Sequence, residues 1–164
     1  MSLTETIEPT RERLRRGDVQ GTRVDQKTDR RAYMALGTWE RLLRDKAIRP
    51  EHYQAAAKLN RHNLGAMGVD VRSGDGPGDP CCEFPRTYHA QKMAEAFGIL
   101  SRREAWALSG LLNDAFADGT ELVDIGRQMT GWSCRKQCKG YGQSLVQTAL
   151  ERIADRWGLP LPEH

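Results

Sequence analysis

Apolar residues along this chain recur mostly with the spacing of one helix face. Tyr33, Leu36, Trp39 and Leu43 follow one another at steps of three, three and four, the period of an amphipathic helix. Arg30, Arg31, Arg41 and Arg44 fill the remaining surface. This predicts a first helix from about residue 28 to Lys46, stopped ahead of Pro50. Arg49-Pro50-Glu51 opens a second. Proline fits a first helical turn, and an acidic side chain suits the positive end of the helix dipole. That helix carries Ala55, Ala56, Ala57 and Leu59 to about Leu64, where Gly65 and Gly68 weaken it. The pair is a predicted helical hairpin over residues 28–67. Residues 68–86 are dense in Gly, Pro and Asp and are predicted as a linker. A third helix, about 87–97, is marked by Tyr88, Met93, Ala94 and Phe97. Gly98 ends it, as glycine commonly does past a helix C-terminus.

Residues 100–158 read as three further helices. Ser101-Arg-Arg-Glu104 is a capping box, a Ser hydroxyl and a Glu three positions on that satisfy each other's free amides. Ala105, Leu108, Leu112 and Ala115 follow, up to the break at Asp118-Gly119. Thr120 is a second predicted N-cap, with Glu121 and Asp124 in the first turn. Leu122, Ile125 and Met129 form the inward face of that short helix. Residues 130–132, Thr-Gly-Trp, break it, and Ser133 is a third predicted N-cap. A long helix runs from there to Trp157, with Val146, Leu150, Ile153 and Trp157 on its apolar face. Gly158 and Pro160 stop it. Trp39, Trp106 and Trp157 sit on these patterns and are predicted to be core. Trp132 either packs across the turn or stays exposed.

Composition narrows the function classes. Charged residues make up 29% of the 164 and apolar residues 38%, polar enough that part of the chain is expected to stay unburied. Residues 1–27 hold few large apolar groups and are expected to be a disordered or loosely attached tail. They also lack the apolar core of a secretory signal. No apolar run approaches the roughly 20 residues of a membrane span. The expected location is cytoplasmic, with no membrane partner. The four cysteines, Cys81, Cys82, Cys134 and Cys138, are then not expected to form disulfides. Four thiolates can hold a structural zinc, and His89 could join them. However, adjacent cysteines rarely reach one ion together, and Cys-x3-Cys is not the usual knuckle. Buried thiols are the preferred reading, with no cofactor. His52, His62, His89 and His164 are scattered, with no visible nucleophile and base spacing. Residues 74–78 are glycine-rich but lack the lysine of a phosphate loop. An enzyme is not expected.

A short helix, a tight turn containing Gly and a helix opened by Ser make the helix-turn-helix pattern, here over about 120–143. Gly126 falls where the two helices must approach. In this motif the front of the last helix meets base edges while the helix before it crosses the backbone. The residues at those places are Ser133, Arg135, Lys136, Gln137 and Lys139, with Arg127 on the preceding helix. These types contact phosphates and the edges of guanine and adenine. Between Ile125 and Leu150 there is no Asp or Glu, so a net charge of +3 hides a local positive field. Gly140 and Gly142 interrupt the reading helix. Each costs roughly 1 kcal/mol relative to Ala in a helix interior, and together they allow a break after Lys139.

Leu100-Ser101-Arg-Arg-Glu104, Glu121-Leu-Val-Asp-Ile125-Gly126, Gly131-Trp-Ser133 and Ala149-Leu150-Glu-Arg-Ile153-Ala resemble region 4 of sigma factors and related response regulators. The chain is similar also to small helix-turn-helix proteins of alphaproteobacterial phages and gene transfer agents, in which a Glu-Arg-Leu element such as Glu40-Arg41-Leu42 precedes the DNA-binding part. One extra residue lies in the turn compared with the sigma type. The resemblance implies a transcription regulator acting on double-stranded DNA, with RNA polymerase or a second copy as further partners. The expected fold is all-α: a helical hairpin, a linker, and a helical domain over 87–164 with the helix-turn-helix three-helix unit. A protein-binding adaptor that does not read DNA is the alternative.

Overall fold

The computed structural model describes residues 19–23, 31–35, 37–68, 86–116 and 119–161, with side chains described from Gly37 onward. Six helices make up the body among these residues: α1 (Thr38–Arg44), α2 (Pro50–Met67), α3 (Arg86–Gly98), α4 (Arg102–Leu112), α5 (Glu121–Thr130) and α6 (Arg135–Arg156). They bear out the all-α expectation at that level. A small antiparallel hairpin precedes them. Strand β1 (Val19–Arg23) pairs with β2 (Arg31–Ala35), Val19 opposite Ala35 and Arg23 opposite Arg31.

At those residues the expected tail and the expected early start of the first helix give way to strands. Val19, Thr22 and Tyr33 are good strand formers, and the step from Tyr33 to Trp39 crosses from strand to helix. The remainder of the expected tail lies outside the described residues. So do linker positions 69–85, with Cys81 and Cys82.

Helix α1 is therefore a short element that buries Trp39, Leu42 and Arg41. After it, Lys46 takes a left-handed φ of 55° and turns the chain inward. Ala47 and Ile48 are buried, and both donate their amides to the Leu42 carbonyl, at 2.9 and 3.3 Å. Pro50 starts α2 in its first turn, as expected, and Gly68 ends it with φ 77°. Ser101 and Glu104 close the expected capping box on α4: the Glu104 amide donates to the Ser101 hydroxyl at 3.3 Å, and the Ser101 amide to the Glu104 carboxylate at 2.7 Å. That helix stops at Leu112, sooner than Asp118-Gly119, where Asp114 adopts φ 49°. Its buried face is Glu104, Ala107, Leu108 and Leu111, rotated from the expected line through Ala105, Leu112 and Ala115.

One core draws on all six helices: Leu42, Leu59, Ala96, Leu108, Ile125 and Leu150 belong to a single buried cluster. Helix α6 runs through it, packing against α5, α4 and α2. Its rear half supplies Val146, Leu150 and Ile153, each fully buried, as the spacing predicts. Truncating such a residue to Ala typically costs 2–5 kcal/mol. Polar ties fix α6 along its length. Gln147 donates to the Ala47 carbonyl at 2.8 Å, His52 Nε2 meets Glu151 at 3.0 Å, and Arg152 reaches the buried Glu104 at 3.4 Å. No helix among the described residues is long and apolar enough to cross a membrane.

Candidate nucleic-acid interface

Helices α5 and α6 meet through small residues. A Cβ added to Gly126 would lie 1.9 Å from the Cys138 carbonyl oxygen, and one added to Gly142 would lie 2.1 Å from that of Leu122. Leu122 and Gly126 stand one turn apart on α5, Cys138 and Gly142 one turn apart on α6, so two backbone ridges touch with no side chain between them. The close approach expected at Gly126 is present. Gly142 makes its counterpart, which explains a glycine in a helix that runs unbroken past Lys139. Gly140 has open space around it.

The turn over residues 131–134 is held from both sides. Gly131 takes φ 70° and donates its amide to the Arg127 carbonyl at 2.8 Å. The Thr130 hydroxyl donates to the Gly126 carbonyl at 2.7 Å and accepts from the Trp132 amide at 3.2 Å. The Cys138 thiol donates to the Trp132 carbonyl at 3.3 Å. Two expected caps differ. Cys134, not Ser133, occupies the N-cap of α6, and no side-chain cap is made there. Ser133 lies one residue earlier, outside the cap position. Thr120 is the N-cap of α5, but its hydroxyl is engaged with Asp124 at 2.8 Å.

Arg127, Ser133, Arg135, Lys136, Gln137 and Lys139 are all exposed. Arg127, Arg135, Lys136 and Lys139 form no ion pair among the described residues. The nearest acids of α5 are occupied: Glu121 is buried against Arg41 and Asp124 is bound by Thr120. No protein-family model, curated protein or solved structure matches this chain. The interface is therefore read from its own chemistry.

Cys138 is fully buried and Cys134 exposed, so the expected pair of buried thiols holds for one member only. No group of three or more candidate metal ligands assembles among the described residues. Trp106, expected in the core, is 38% exposed. It stands edge-on to Phe116 and, with Phe97, lines a groove of about 570 Å3.

Two buried contacts have no counterpart in the sequence pattern. Arg41 and Glu121 form a buried ion pair that ties α1 to the first residue of α5. His62 and His89 are buried, with their Nδ1 atoms 3.0 Å apart. Burial is the main cause that lowers the His62 pKa to about 4; His89, Lys58, Lys92 and Arg61 add to it. Trp132, 46% exposed, stands edge-on to Tyr141 at 6.0 Å, and Arg103 of α4 donates to the Tyr141 hydroxyl at 3.2 Å.

Proposed function

We propose that this chain is a sequence-specific DNA-binding transcription regulator of phage or phage-derived type, in which residues 120–143 act as a helix-turn-helix. The observation that carries the reading is the front turn of α6. It presents exposed cations that form no ion pair among the described residues, while its rear half is locked into the core. A reading helix needs that division: a rigid base and a free, polar, positive tip. Arg135, Lys136 and Gln137 meet base edges, Lys139 and Arg127 hold phosphates, and Ser133 contacts phosphate from the turn. No catalysis is part of this reading, and RNA polymerase or a second copy completes the complex on DNA.

Binding to a pool of genomic duplex fragments, measured at two salt concentrations with sequencing of the bound fraction, tests it. Enrichment of one site, with affinity falling as salt rises, is expected. Replacing Arg135 and Lys136 together by Ala should weaken binding about tenfold or more and reduce the enrichment of one site, whereas Lys139→Ala should flatten the salt dependence by about one phosphate. Unchanged affinity in the double variant removes α6 from the interface. A second reading, a protein-docking adaptor, draws on the half-exposed Trp106 groove. It predicts partner capture that survives high salt in a protein that does not retain duplex DNA.

A further inference from the structure

In a helix-turn-helix the first helix of the pair ordinarily crosses the phosphate backbone. Here the first turn of that helix, α5, carries Glu121 and Asp124. Neither is a group that attracts phosphate, and Glu121 is fixed in the interior by Arg41. Arg127 is the one cation on that helix, so a longer backbone grip beside the reading helix needs a second element. Resting on the DNA reading above, we infer that Arg103 of α4 is this second grip, held in place by Tyr141 and extended by Trp132.

Tyr141 lies one turn beyond Gln137 on the same face of α6. Its hydroxyl accepts from Arg103 Nη1 at 3.2 Å and its ring meets Trp132 at 6.0 Å. These contacts make a continuous surface from the turn, across α6, to the start of α4. Arg102 and Arg103 are both exposed there, and the adjoining carboxylate, Glu104, is buried and bound by the Ser101 amide and Arg152. The ligand this surface fits is the sugar-phosphate strand flanking the bases that α6 reads. The guanidinium supplies the charge, and the Trp132 ring covers the sugar. Tyr141 is a positioning residue, since it acts through Arg103.

The test titrates wild type, Arg103→Ala, Arg103→Lys and Tyr141→Phe with a short fluorescent duplex of genomic sequence across a series of salt concentrations. Thermal melting of each variant is followed in parallel. For Arg103→Ala the slope of log affinity against log salt should become shallower by about 0.9, the share of one phosphate, with about fivefold weaker binding at low salt and unaltered melting. Arg103→Lys should restore the slope. Tyr141→Phe should weaken binding less than Arg103→Ala while keeping the full slope. If wild type binds and Arg103→Ala keeps both slope and affinity, the grip is elsewhere and the reading of α6 stands. If wild type retains no duplex even at low salt, this inference falls together with the reading it rests on.

Discussion

Gly126, Gly140 and Gly142 lie within 17 residues of one another yet do different things. Adding a methyl at Gly126 or Gly142 drives it into a partner backbone carbonyl, which cannot rotate aside. Each Gly→Ala change there should cost about 1–3 kcal/mol by overpacking. Gly140→Ala meets nothing, so the helix-propensity gain of up to about 1 kcal/mol should appear undiminished. Urea unfolding of the three variants checks the opposite signs. Gly126 was legible as a close-approach site because it stands beside the apolar Ile125 on a short helix. Gly142 was not, because a helix-interior glycine reads as a breaker until the helix it touches is known. The misplaced cap has a similar origin. Ser133 and Cys134 are adjacent, the usual preference favours Ser, and only the turn's own hydrogen bonds decide which residue begins α6.

Helices α1 and α5 are joined by the Arg41–Glu121 pair, in which both side chains are more than nine-tenths buried. Removing one partner of such a pair leaves a charge in the interior, at about 3–5 kcal/mol, whereas removing both in favour of apolar groups is often close to neutral. Arg41→Met should therefore destabilise strongly. Arg41→Met with Glu121→Leu should recover most of the loss, as read from denaturant midpoints. Double recovery is the signature of a buried pair, and two independent losses would mean that each residue has a separate role. The pair is 80 positions apart in sequence, so no local pattern announces it, and Arg41, expected on the helix surface, is instead buried. Local signals did fix the elements whose punctuation is chemical. The Ser101–Glu104 box and Pro50 mark helix starts where the sequence put them, while α2 runs past the expected end near Leu64 to Met67, with Gly68 as its cap. Local signals failed where two periods overlap, as in residues 31–39, and in α4, where a buried Glu104 takes a core position that a hydrophobic count assigns to Ala105.

Across the whole molecule, α2 and α3 meet at the His62–His89 contact, flanked by Tyr88 and Trp157, with Lys58 over the indole at 5.2 Å. Burial holds the His62 pKa down at about 4 in the folded chain, against the usual 6.5 of a histidine. Between these values the unfolded chain binds a proton that the folded one refuses. Stability is thus complete above pH 6.5 and declines as pH falls towards 4, by up to about 1.4 kcal/mol per unit. Urea midpoints at pH 7 and pH 5 should differ in the wild type, and the difference should shrink in His62→Gln, which can still hydrogen bond to His89. An equal decline in both proteins would assign the acid sensitivity to other groups. Helix α6 joins this interior to the exposed tip with one unbroken rod, and a lineage can exploit that arrangement. Side chains at 135, 136, 137 and 139 stand outside the core, whereas 146, 150 and 153 are sealed within it. The tip is free to drift at almost no cost in folding, while the rear of the same helix stays under selection for packing.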